Sequence, residues 1–90
     1  ERRAYPNPLI AGSTVTLELS NQRTDAITAG ETVTLDIYNV LGQRVPKNQY
    51  SFINVQSFLD VNTGSMSSGI YFFMVRGAGE DKIFKILLTR

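Results

Sequence analysis

Between Glu31 and Val45 the chain reads E-T-V-T-L-D-I-Y-N-V-L-G-Q-R-V, and Val33, Leu35 and Ile37 alternate with Thr34, Asp36 and Tyr38. Successive side chains of an extended backbone point to opposite faces, so this alternation predicts a strand with one buried side. It breaks at Asn39-Val40-Leu41-Gly42, a bend in which Gly42 supplies the positive φ. Alternation resumes at Gln43-Arg44-Val45, the start of a partner strand that ends at or before Pro46.

The same reading extends along the rest of the chain. Val15, Leu17 and Leu19 share one face against Thr16 and Glu18, which predicts an antiparallel strand with one wet side over Thr14–Ser20. Asn21–Gly30 is polar and reads as a loop, as does Pro46–Gln49. Tyr50–Phe58 holds one short strand, with Tyr50, Phe52 and Asn54 opposed to Ser51, Ile53 and Val55, and Leu59–Val61 holds another. Asn62–Gly69 is rich in turn residues, with Met66 placed to plug the end of a core. Ile70–Arg76 is apolar on both faces, Tyr71, Phe73 and Val75 against Ile70, Phe72 and Met74. One face enters the core, and the other calls for a cover or forms an exposed patch. Gly77–Asp81 turns the chain into a last strand, Lys82–Thr89, with Phe84, Ile86 and Leu88 on one side. At the beginning, Pro6 and Pro8 hold Tyr5 and Asn7 extended, a stiff strip suited to a sheet edge, and Leu9-Ile10 makes the first buried contact. Six or seven short strands without a helical period predict an all-β fold, an Ig-like antiparallel β-sandwich of about seven strands.

Composition narrows the chemistry. Ninety residues make one domain. Nine Lys+Arg against eight Asp+Glu, scattered along the chain, leave +1 and no basic stripe, which argues against nucleic acid. No apolar run reaches the roughly 18 residues a direct membrane span requires. Cysteine and histidine are absent, which removes thiolate nucleophiles, disulfides, Cys/His metal sites and histidine-based triads; no cofactor is expected. Glu1 in place of Met reads as a piece cut from a longer chain, with residues 1–4 a linker and 5–90 the domain.

Each candidate constellation has a plainer reading. Asp36 and Glu18 could pair for acid–base work, but they read as solvated residues on outward faces. Asp25 and Glu31 flank a loop without calcium-loop spacing. Asn39–Gln43 lacks the second glycine and the Lys-Ser/Thr of a phosphate loop and leads into a strand. Tyr5, Tyr38, Tyr50 and Tyr71 could form a carbohydrate platform, although at least two of them read as core or edge packing. The double-faced run at 70–74 reads as a central strand, with docking or self-association through the last hairpin as the second reading.

Taken in order, Y-P-N-P at 5–8, V-T-L-E-L at 15–19, D-I-Y-N-V-L-G-Q-R-V at 36–45, L-D-V at 59–61, S-S-G-I-Y-F-F-M-V at 67–75 and K-I-F-K-I-L-L-T-R at 82–90 closely resemble one family. It is the C-terminal sorting domain of cargo exported by the type IX secretion system of Bacteroidetes bacteria. The resemblance implies an Ig-like sandwich, an upstream cargo and a secretion address in place of a catalyst. It further implies passage from the periplasm to the outer membrane, cell surface or extracellular space, with a translocon, an outer-membrane shuttle barrel and a sortase-like cysteine peptidase as partners. In most members the peptidase cuts before the domain and joins the cargo to an anionic lipopolysaccharide. The family's characteristic positions fall on Tyr5, Pro6, Asn7, Pro8, Tyr38, Asn39, Gly42, Gln43, Arg44, Gly69, Tyr71, Lys85, Ile86 and Leu87. Pro46 and the length of the 21–30 loop depart from the usual pattern. A surface combining the final hairpin edge with Gly42–Arg44 is the expected recognition element, read by the translocon through strand addition plus side-chain pockets. An Ig-like cell-surface or carbohydrate-binding module is the alternative, and a small hydrolase would need a pocket the sequence does not supply.

Overall fold

The computed structural model describes residues 4–19, 33–55, 58–77 and 80–90. Eight strands follow in order: β1 (Ala4–Tyr5), β2 (Leu9–Ile10), β3 (Thr14–Glu18), β4 (Val33–Asn39), β5 (Ser51–Val55), β6 (Phe58–Asn62), β7 (Gly69–Gly77) and β8 (Glu80–Thr89). They form two four-stranded sheets, ordered β1-β3-β6-β5 and β2-β8-β7-β4. All pairs are antiparallel except β2 with β8, which run parallel.

Period-2 patterning decides what faces inward. From the first sheet come Val15, Leu17, Leu59 and Val61; from the second, Leu35, Ile37, Tyr71, Phe73, Val75, Phe84, Ile86 and Leu88. Register lines these up in rows, with Phe73 standing between Ile37 on β4 and Phe84 on β8. Phe73 has no exposed surface, and removing a fully buried phenyl ring costs about 3–5 kcal/mol. Leu9 anchors β2 beneath this layer, and Met66 is buried in the same core.

The strip Tyr5–Pro8 crosses between the sheets. Ala4 and Tyr5 pair with Leu17 and Thr16 at the edge of the first sheet, and Leu9 and Ile10 pair with Leu88 and Thr89 in the second. Pro6 and Pro8 lie at the crossing, outside both ladders, where a missing N–H costs nothing. Ala4, expected as linker, is therefore half-buried strand. Each stretch of two residues counts as a strand here, which raises the expected seven to eight.

Two boundaries differ from the sequence reading. The final hairpin pairs as far as Gly77 with Glu80, a tighter connection than a turn over 77–81. Gln43–Val45 forms no strand: its contact with β4 is the single bridge Tyr38–Arg44, after which Pro46 leads into a short 3₁₀ turn at Lys47–Gln49. Proline lacks the N–H that would extend the ladder. The expected loop at 21–30, with Asp25 and Glu31, lies outside the described residues.

Loop contacts tie the ends of the sandwich. Thr63 is fully buried; its hydroxyl donates to the Ser13 carbonyl at 2.8 Å and accepts from Gly12 N–H at 2.8 Å. Gly64 has φ +41, and a Cβ there would sit 2.7 Å from the Gln49 carbonyl oxygen, so only glycine fits this approach.

Candidate recognition surface

The motif residues divide into three groups with different work. The first surrounds Asn39. Its side-chain oxygen accepts from Leu41 N–H at 2.9 Å and Gln43 N–H at 3.0 Å, and its amide donates to Gln43 Oε1 at 3.0 Å. Backbone bonds from Asn39 N–H to the Gln43 carbonyl and from Gly42 N–H to the Asn39 carbonyl close the bend. Gly42 occupies φ +82, as the sequence reading requires. Short polar side chains that satisfy the backbone two to four residues on are what turns favour. Asn39, Gly42 and Gln43 are thus turn builders.

The second group belongs to the other crossing. Tyr71 is buried, and its hydroxyl donates to the Ser67 carbonyl at 2.9 Å, four residues upstream. This resembles the tyrosine corner of Ig-like sandwiches, fastening the 67–69 turn to the strand that follows. Gly69, at φ +148, admits the chain beside the ring. Tyr50 is buried as well, with its hydroxyl 3.4 Å from the Leu35 carbonyl. Two of the four tyrosines are therefore inside, and the carbohydrate platform is not assembled.

The third group concerns β8. The Asn7 side chain behaves as a piece of strand: its amide donates to the Lys85 carbonyl at 2.9 Å and its oxygen accepts from Leu87 N–H at 3.1 Å. Farther along, Ala11 N–H reaches the Thr89 carbonyl. Ile86 lies in the core with no exposed surface, while Lys85 and Leu87 point outward. Pro6 and Pro8 hold Asn7 at this edge, and Tyr5 fixes the strip to the first sheet.

Exposed apolar side chains occur on both sheets, Phe52, Ile53 and Phe58 on the first and a further set on the outer face of the β2-β8-β7-β4 sheet. Cross-strand register places Tyr38 beside Phe72 beside Lys85, and Asp36 beside Met74 beside Ile83. Ile70 and Leu87 adjoin. Ile83 is 56% exposed, whereas Tyr38, Phe72 and Met74 are half-buried. Arg44 lies over the Tyr38 ring, 5.9 Å from its centre, with a guanidinium nitrogen 3.5 Å from the phenol oxygen. That phenol, then the Asp36 carboxylate, raises the Arg44 pKa above its already high ordinary value.

Asp36 overturns its expected role. Its position is outward, yet it is only 6% exposed, because Lys47 and Arg44 return beside β4 and place their cations 3.5 and 3.9 Å from the carboxylate. Glu18 sits on β3 in the opposite sheet, so the two carboxylates are not neighbours and no acid–base pair exists. Lys47 escaped the sequence reading: a lysine after a loop proline carries no signal of the strand it will return to. For strand addition alone, the expected composite of the hairpin edge and Gly42–Arg44 divides. β8 and β4 are separated by β7, so strand addition at one cannot include the other. Among the described residues no three acidic side chains converge as a metal site would need, and no helix is long and apolar enough to cross a membrane.

Neither a search of curated proteins nor one of solved structures returns a match. A family model described as the secretion system C-terminal sorting domain matches residues 3–89, spanning both sheets and all three motif groups. An all-β sandwich whose motif residues build turns, crossings and an outer face agrees with that match. The chain belongs to the secretion system C-terminal sorting domain family.

Proposed function

We propose that the type IX machinery reads this domain through the outer face of the β2-β8-β7-β4 sheet, along the row Arg44, Tyr38, Phe72 and Lys85. The domain itself is a sorting signal for type IX secretion, and it addresses the protein that carries it to the cell surface or the extracellular space. It is a signal rather than a catalytic family. The observation that supports the outer face is its composition: half-buried aromatic and aliphatic side chains flanked at both ends by cations, in cross-strand rows that carry the motif positions Tyr38, Arg44 and Lys85. Apolar patches rimmed by charge mark docking surfaces. A shuttle barrel in the outer membrane would receive this face, and a cysteine peptidase would then cut before the domain and transfer the cargo to lipopolysaccharide. That chemistry would be the peptidase's, because this chain contains no cysteine.

The test is export of a reporter fused ahead of the domain. Replacing Tyr38 and Phe72 together by Ser removes the central aromatics and leaves the buried rows untouched. Export is expected to fall by roughly tenfold or more, as loss of about 1.4 kcal/mol or more of docking energy requires, while circular dichroism of the purified domain still shows the β fold. Undiminished export with the fold retained would exclude this face.

A further inference from the structure

Among the described residues the β8 edge is capped over only part of its length. Lys85 C=O and Leu87 N–H point away from β7, because Asn7 binds both from the far side, and the Thr89 carbonyl points the same way toward Ala11. The β7–β8 register is unbroken from Gly69–Leu88 to Gly77–Glu80. Alternation along an unbulged strand therefore aims the N–H and C=O of Ile83 and Asp81, and the N–H of Lys85, at the same open edge. At the other side of the sheet the β4 edge is partly occupied: Leu35 and Ile37 carbonyls take Tyr50 and Val45, and Asn39 N–H takes Gln43. Asn7 thus marks the point where the capped half of β8 ends.

We infer that the segment Asp81–Lys85 pairs antiparallel with the same segment of a second copy of this chain, about a two-fold axis at Ile83. Only edge-facing residues can oppose one another in hydrogen-bonded pairs, and centring on Ile83 sets Asp81 opposite Lys85 of the second copy at both ends, where Lys85 N–H donates to the Asp81 carbonyl while the Lys85 carbonyl stays with Asn7. Shifting the axis to Lys82 or Phe84 places Ile83 opposite Asp81 or Lys85 and loses both charge pairs. Isologous contacts require a self-complementary surface, and Asp-x-Ile-x-Lys is self-complementary when reversed. Opposite charges directly across a ladder stabilise it, so these residues invite this register even though single-sign charges protect edges elsewhere. Ile83 meets Ile83 and extends the Met74–Ile83 apolar strip from one sheet into the next, over a groove of roughly 370 Å³ lined by Met74, Arg76, Asp81, Lys82 and Ile83. Arg76, cross-strand from Asp81 on β7, adds a second cation to each acidic end. So short a contact falls below the roughly 1,200 Å² of stable interfaces, which makes the dimer transient. The inference stands on edge geometry alone, so its failure leaves the sorting function intact.

Sedimentation of the 90-residue chain from about 10 μM to about 1 mM, where small interfaces populate both states, is expected to show a monomer–dimer equilibrium. Asp81→Lys or Lys85→Asp sets like charges face to face and raises the dissociation constant roughly tenfold, and the double exchange restores it. In the unmodified chain, amide exchange at Ile83 and Lys85 slows with concentration, a readout that needs no variant to fold. A monomer throughout that range, exchange independent of concentration, or a double variant no tighter than the singles would each overturn the pairing. Protection of these amides only by an added export component would overturn it as well and give the edge to a foreign strand.

Discussion

At the scale of single residues, motif positions divide by what they satisfy. Asn39 answers backbone groups at Leu41 and Gln43, Tyr71 answers Ser67, and Asn7 answers Lys85 and Leu87. Such residues are legible in sequence as turn chemistry, but the partner is legible only when it is a few positions away. Asn7 and Lys85 lie 78 residues apart. Tyr50 carries a consequence for pH. Burial first, and then the negative charge of Asp36, hold its phenol above the ordinary 10.0. The folded state thus retains the proton more tightly than the unfolded chain does. The associated stability is complete below that ordinary value and is lost as pH rises through the folded one. Urea unfolding between about pH 8 and 11 is expected to show a steeper alkaline loss for the native chain than for Tyr50→Phe, with the variant down by no more than about 1 kcal/mol at neutral pH because the hydroxyl's bond is long. Equal alkaline slopes would remove Tyr50 as the cause.

At the scale of elements, period-2 patterning predicts β3, β4, β6, β7 and β8 and the buried side of each except β7, whose two faces are both apolar. It does not predict β1 and β2, whose two residues apiece contain no period, nor the failure of Gln43–Val45 to become a strand. The Asn7 cap belongs to this scale, since it replaces the missing continuation of β2 along β8. Asn7→Ala is expected to destabilise the domain by about 0.5–1.5 kcal/mol, the range for exposed hydrogen bonds whose backbone partners water can reach. It should also accelerate amide exchange at Leu87 well beyond the global change. Unchanged exchange at Leu87 would mean that the cap contributes nothing to the edge.

At the scale of the whole molecule, β8 is both a face and a core strand. Removing Lys85–Arg90 strips Ile86 and Leu88 from the interior and leaves β2 without its ladder. Loss of two fully buried aliphatic side chains costs roughly 4–10 kcal/mol, comparable to the entire stability of a small domain. Such a truncation is expected to be unfolded by circular dichroism; a cooperative melt near that of the full chain would contradict the topology. Export lost by this deletion would therefore report folding, which is why surface substitutions on Tyr38 and Phe72 are the sharper probe of recognition. The sequence alone determined the strands with clear alternation, the inward residues they carry, the Gly42 bend and the family, because side-chain alternation and turn preference are properties of a few consecutive residues. The tertiary structure alone decided which sheet each strand joined, that Asp36 lies beneath Lys47 and Arg44, that β4 is partly occupied while, among the described residues, part of β8 is open, and that Gly42–Arg44 and the β8 edge lie at opposite sides of one sheet. Those outcomes depend on contacts between residues far apart in the chain, and no local pattern encodes which distant backbone will arrive alongside.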